Sequence, residues 1–160
     1  MLSSAFIASL FMGGPSCILG SDAHYITVDD FILHLSRPGI DIRSSFDDLY
    51  IPQRSCESDV FDICIIGDYP FFFTASAGQY SEIIEGVNYD INIYLRDAHA
   101  PGSSLSVVQV THGGSSLIYE YDRNLGVTQF VEHVKHHDGF EVIQVFLLQD
   151  GNYLGCQAEN

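Results

Sequence analysis

Between residues 88 and 96 apolar and polar positions alternate. Tyr89, Ile91, Ile93 and Leu95 interleave with Asn88, Asp90, Asn92 and Arg96, the period of a half-buried strand. Short apolar runs at 60–66, 71–74, 105–110, 117–121, 127–134, 140–149 and 153–156 predict further strands. Asp138-Gly139 between two long runs is a strong hairpin signal. Asp150-Gly151 and His112-Gly113-Gly114-Ser115 predict two more turns, and residues 122–126 a longer loop. The sum is an antiparallel meander from about residue 88 to the C-terminus. The run 140–149 is apolar on both faces, with Val142, Phe146 and Leu148 against Ile143, Val145 and Leu147. That predicts a central strand covered on both sides. Residues 128–137 also carry helical spacing, and the Asp-Gly turn decides for a strand.

Upstream the pattern changes. Thr27-Val28-Asp29-Asp30 reads as a helix start, a threonine cap followed by acids in the first turn. Phe31, Ile32 and Leu35 would share one face, and Arg37-Pro38-Gly39 would end the helix. A second helical turn is predicted from Ser45. The fold class is therefore α+β, predominantly β, with an N-terminal helix packed on an antiparallel β-meander and covering its central strand. Residues 98–104 form an exposed loop, and no linker or repeat divides residues 24–160, which read as a single α+β domain. Residues 1–23 are signal-like: an apolar run at 3–12, then Gly13-Gly14-Pro15, then a small-residue site at Ser21-Asp22-Ala23. No Lys or Arg precedes Arg37, so the basic start of a signal is missing. The run is also shorter than the roughly 20 residues that span a bilayer. The balance favours a cytoplasmic chain slightly over a secreted one.

Charge changes the picture next. Six Lys+Arg stand against 21 Asp+Glu, a formal charge of −15, while hydrophobic residues reach 46% and include 11 Phe and 9 Tyr. A core is therefore affordable, and a disordered acidic tail is excluded. Charged residues total 17%, against about a quarter in an ordinary chain, so bases have been lost more than acids gained. Lys135 is the single lysine. A nucleic-acid binder with a basic face is excluded, and the short groups Asp29-Asp30, Asp47-Asp48 and Glu57/Asp59/Asp62 lack the regular rows of a DNA mimic. Three readings remain: a soluble protein that repels nucleic acid and anionic lipid, a surface that captures a basic partner at a high on-rate, or adaptation to high salt, against which the Ile and Phe content argues for a normal core.

The candidate chemistry is sparse. The four cysteines form no C-x-x-C. Cys56 and Cys64 could close a small loop, although Ile63-Cys64-Ile65-Ile66 reads as a buried free thiol. His133 and His137 are weak metal candidates. They would stack on a helix, but no H-E-x-x-H is present, and on a strand they sit at the wet end of a hairpin. Thr74-Ala75-Ser76-Ala77-Gly78 is only a loose match to a nucleophile elbow, and no phosphate-binding glycine loop occurs. Among Asp62, Asp68, Asp90 and Glu120 no acid/base pair stands out. With three consecutive rings at Phe71-Phe72-Phe73, at least one must leave the main face, for packing or to line a cavity or partner surface. Tyr119 and Tyr121 flank Glu120, a composition suited to contacting a basic protein.

The function ranked first is a non-catalytic acidic interaction protein, immunity- or inhibitor-like. It would neutralise a basic protein partner, a toxin or enzyme, through Asp29, Asp30, Asp47, Asp48, Asp59, Asp62, Tyr119, Glu120 and Tyr121. The second is a binder of a small apolar ligand in a closed, β-barrel-like meander with an internal cavity. The third is a metal-dependent hydrolase around His133 and His137. No catalytic residue, cofactor, nucleic acid or membrane insertion is implied.

Overall fold

The computed structural model describes residues 17–27, 32–36, 39–43, 48–97, 104–135, 137–139 and 141–158. In chain order the strands are β1 (Cys17–Ile26), β2 (Ile32–Ser36), β3 (Gly39–Arg43), β4 (Asp48–Pro52), β5 (Arg54–Ser55), β6 (Ile63–Ile66) and β7 (Phe71–Phe73). There follow β8 (Gly78–Ile84), β9 (Val87–Asp97), β10 (Ser104–His112), β11 (Ser115–Asp122), β12 (Gly126–Lys135) and β13 (Glu141–Ala158). Ten of them form one sheet in the order β4-β3-β2-β1-β13-β12-β11-β10-β9-β8, and β5-β6-β7 form a second. Neighbours are antiparallel throughout. The chain steps outward from β1 to β4, leaves the sheet for residues 53–73, and returns through β8 to β13, which closes on β1.

The meander is as the alternation predicts, with one more hairpin, β8–β9, ahead of it. The expected N-terminal helix is replaced. No helix occurs among the described residues, and Ile32, Leu33, His34, Leu35 and Ser36 lie in β2. Leu33 and Leu35 are fully buried while Ile32 is exposed, a period of two rather than 3.6. Pairing on both sides, to β1 and β3, outweighs the local cap and stop signals, because a strand between two others satisfies every backbone group. Residues 28–31 and 44–47, which carry most of the two helix signals, lie outside the described residues.

Three further expectations change. The Asp150-Gly151 turn is absent, because β13 runs straight through it. Ala23 pairs with Gly151, His24 with Asp150 and Tyr25 with Leu148, so the extra residue is a bulge. A Cβ on Gly151, at φ +90°, would meet the β1 backbone at 2.6 Å, so glycine marks a close approach here and not a chain reversal. The strand β13 is central, but its outer face is open: Ile143 is 64% and Leu147 45% exposed. Finally, Cys64 is no free thiol. It bonds to Cys56, with 5.1 Å between their Cα atoms. Cys156 is disulfide-bonded as well. The boundary between residues 23 and 24 falls inside β1, where Ala23 is fully buried.

The cover that the helix was to supply comes from residues 53–73. Phe61, Ile63, Ile65, Ile66, Tyr69, Phe71 and Phe72 are buried there and pack on one face of the large sheet. That face carries Ile93, Val108, Tyr119, Phe130 and Phe146 in one register row across β9 to β13. Edge-to-face contacts join Phe71 to Tyr119, Phe130 and Tyr153 at 5.1, 6.1 and 5.6 Å between centroids. Such pairs add about 0.5–1.5 kcal/mol each beyond the area they bury.

Tyrosine hydroxyls clasp the insert to the sheet. Tyr119 Oη donates to the Phe72 carbonyl at 2.5 Å and accepts the Phe72 N–H at 2.6 Å. Tyr153 Oη donates to Gln53 Oε1 at 2.9 Å, and Gln53 Nε2 donates to the Tyr69 carbonyl at 2.5 Å. Burial pushes the Tyr119 hydroxyl well above the ordinary tyrosine range, so it stays protonated and can donate.

Candidate functional site

The inner face has two ends, and the insert meets them differently. At the first, Ile91, Val110, Leu117, Glu132 and Gln144 form a register row. Tyr69 Oη donates to Glu132 Oε2 at 2.9 Å. Burial raises the Glu132 carboxyl above its ordinary value, Tyr69 opposes the rise by hydrogen bonding, and Asp68 adds to it. His112 is held below its ordinary value by burial, with Asp68 pulling the other way.

At the second end the facing side chains shrink. Along β10 the inward residues run Val110, Val108, Ser106, and the insert passes from Phe73 to Ala75. Ser106 pairs with Leu95 and Tyr121. The shortened side chains leave a cavity of about 540 Å³ lined by Leu19, Asp62, Ile63, Phe73, Ala75, Leu95, Ser106, Tyr121, Arg123 and Cys156. Ile63, Ser106 and Tyr121 are buried in its wall, while Asp62, Ala75, Leu95 and Arg123 are exposed at its mouth. The volume lies in the range of small-molecule sites, about 300–1,000 Å³. Phe73, the third ring of the run, turns to the same sheet face as Phe71. It packs on Tyr121 at 4.2 Å between centroids and walls the cavity. Tyr121 Oη donates to the Leu154 carbonyl at 3.0 Å, and its pKa is pushed up to about 12, chiefly by burial.

The turn after β11 sets Arg123 at the mouth. Asp122 Oδ1 accepts the Asn124 and Leu125 N–H groups at 2.8 and 3.0 Å, an Asx turn. The Arg123 carbonyl accepts the Cys156 N–H at 2.6 Å, and Asn152 Nδ2 donates to the Asn124 carbonyl at 2.8 Å. Gly126 lets the turn lie down on β13: its φ is +79°, and a Cβ there would come within 2.1 Å of the Tyr153 carbonyl oxygen.

The residues singled out in the sequence scatter. Asp29, Asp30 and Asp47 lie outside the described residues, and Asp48 opens β4. Asp59 is exposed between β5 and β6, and Asp62 is exposed at the cavity mouth. Tyr119 and Tyr121 are core residues, 1% and 3% exposed. Strand alternation turns Glu120 to the opposite face, where it accepts from Arg96 at 3.1 Å. Of the nine, the fold brings Asp62 and Tyr121 to one site.

His133 and His137 do not share a strand face: β12 ends at Lys135, and His137 is exposed in the following turn. His133 Nε2 lies 3.5 Å from Glu141 Oε2 and has no hydrogen-bond partner. Among the described residues no three His, Cys, Asp or Glu side chains are grouped to hold a metal ion. Among them also, no helix is long and apolar enough to cross a membrane.

Sequence reading missed Arg123, Ser106 and Leu19. The signal for Arg123 was its rarity, one of six bases, placed in a loop already predicted. The signal for Ser106 was a small residue at an inward position of a valine strand. Comparison with protein-family models, curated proteins and solved structures finds no match to this chain.

Proposed function

We propose that this chain is a binding protein that takes a small, largely apolar molecule into the cavity between the insert and the β10–β11 end of the sheet. The observation that carries the reading is the cavity itself. It has apolar walls of Leu19, Ile63 and Phe73, a few polar groups beside Leu95 at its mouth and a volume of about 540 Å³, the composition of a small-molecule site. Among the described residues the sheet does not close into the barrel expected for such a binder. Its edges β4 and β8 each have one neighbour, and the insert supplies the missing wall. The disulfide-bonded Cys56, Cys64 and Cys156 support a working place in an oxidising compartment, away from the cytoplasm.

Displacement of the neutral dye Nile red tests the reading. The folded protein should enhance its emission, and Ala75→Trp, which fills the mouth from an exposed position, should weaken binding about tenfold or more. Equal binding by the Ala75→Trp protein sinks the proposal.

A second reading, capture of a basic protein partner, rests on charge. The 21 acids outnumber the six bases to leave a net charge of −15, and two of those bases, Arg54 and Arg96, are paired with Glu85 and Glu120. It predicts an affinity for a basic protein that falls steeply with salt; binding insensitive to salt counts against it.

A further inference from the structure

We infer that the molecule taken by this cavity is an apolar monocarboxylate, its carboxylate held by the Arg123 guanidinium at the mouth and its hydrocarbon part lying along Phe73, Ile63 and Leu19. The inference rests on the cavity reading and names the chemistry of its ligand. In a chain with only six bases, one stands at the mouth of an apolar cavity. Arg54 and Arg96 each have a carboxylate partner, whereas Arg123 makes no ion pair among the described residues. Its neighbour in sequence, Asp122, does not neutralise it: that carboxylate is buried and engaged with the Asn124 and Leu125 N–H groups. The same bonds, with the one from Cys156 N–H to the Arg123 carbonyl, fix the backbone from which the guanidinium projects.

Asp62 is the competing charge at the mouth. Like Arg123 it is exposed to solvent, where the fields of both are screened. Burial raises the Tyr121 hydroxyl most, Arg123 pulls it down, and Asp122 and Asp62 push it up. One planar fork matches one carboxylate through paired hydrogen bonds. A phosphate dianion would meet a single base, the nearby Asp62 and the repulsion of a chain of charge −15. The monocarboxylate is the anion that fits.

Three probes with one alkyl chain and different heads decide it: dodecanoate, dodecanol and dodecylamine, each displacing Nile red from the full chain below its micellar concentration. Dodecanoate should bind about 10–100-fold more tightly than dodecanol, the range of a charge-assisted hydrogen bond. Arg123→Gln should abolish that preference and leave dodecanol unchanged, and Arg123→Lys should restore part of it. Unfolding midpoints of both variants should match the parent, because the side chain is exposed. Equal binding of acid and alcohol, or a preference that survives Arg123→Gln, overturns the carboxylate inference and leaves the cavity reading standing. Tightest binding of dodecylamine overturns it in favour of Asp62. If no probe binds, the cavity reading falls and the inference with it.

Discussion

At one end of the inner face a hydrogen bond ties the insert to the sheet, and at the other a cavity opens beside the Phe73–Tyr121 contact. The tie runs through Tyr69 and Glu132, in a register row of large side chains. The gap opens where β10 turns Ser106 inward and the insert reaches Ala75. Both ends share the same strands and the same insert, so topology does not distinguish them. Side-chain volume along two or three positions does. A packed interior leaves few voids larger than a water molecule. A pocket opens at one end, beside an exposed arginine without an ion pair among the described residues, and the proposed ligand would fill it.

The largest effect should come from breaking the insert at its middle, which both ends share. Phe72 is fully buried, packed against Phe61 and Tyr89. Phe72→Ala should cost about 3–5 kcal/mol in urea unfolding and abolish dye binding. A loss below about 1 kcal/mol would mean that the insert is not the core.

Tyr119→Phe is milder and sharper. It leaves the ring and removes the hydroxyl that serves both the N–H and the carbonyl of Phe72. The expected cost is about 1–3 kcal/mol, with apolar probes still bound. Retained stability would show that the Phe72 backbone groups find other partners.

The smallest effect separates the two ends by pH. Burial raises the Glu132 carboxyl in the folded state, so folding takes up a proton there. The stability it contributes is fully present below the ordinary glutamate value and is lost as pH rises through the raised one. Glu132→Gln should therefore flatten the fall in urea midpoint as pH rises above the ordinary glutamate range, while alkyl-chain binding at the far end stays the same. An unchanged slope would move the titration to another group.

Much of the β architecture was legible in the chain. The alternation at 89–95, the Asp138-Gly139 turn and the apolar run at 140–149 place β9, the β12–β13 hairpin and a central β13. Their signals are local or depend only on which face is buried. The helix at 27–39 failed because Thr27, Asp29, Asp30 and Pro38 are signals about an isolated segment, while β2 is decided by its neighbours β1 and β3. The site failed for a related reason. Tyr119, Glu120 and Tyr121 are adjacent in sequence, but a strand sends the tyrosines inward and the glutamate outward. Leu19, Phe73, Ser106, Arg123 and Cys156 come from distant parts of the chain, and no spacing rule links them.

By itself, then, the sequence determined an antiparallel β protein with an aromatic core, a strong acid surplus and no basic face. These follow from residue type and period-two spacing, which act locally or through composition. The tertiary structure alone decided that β13 pairs with β1, that Cys56 joins Cys64, and that residues 53–73 cover the sheet in place of a helix. It also decided that a void remains beside Arg123. Each of these depends on side chains tens of residues apart meeting at a few ångströms, where packing and hydrogen bonding outweigh local preference.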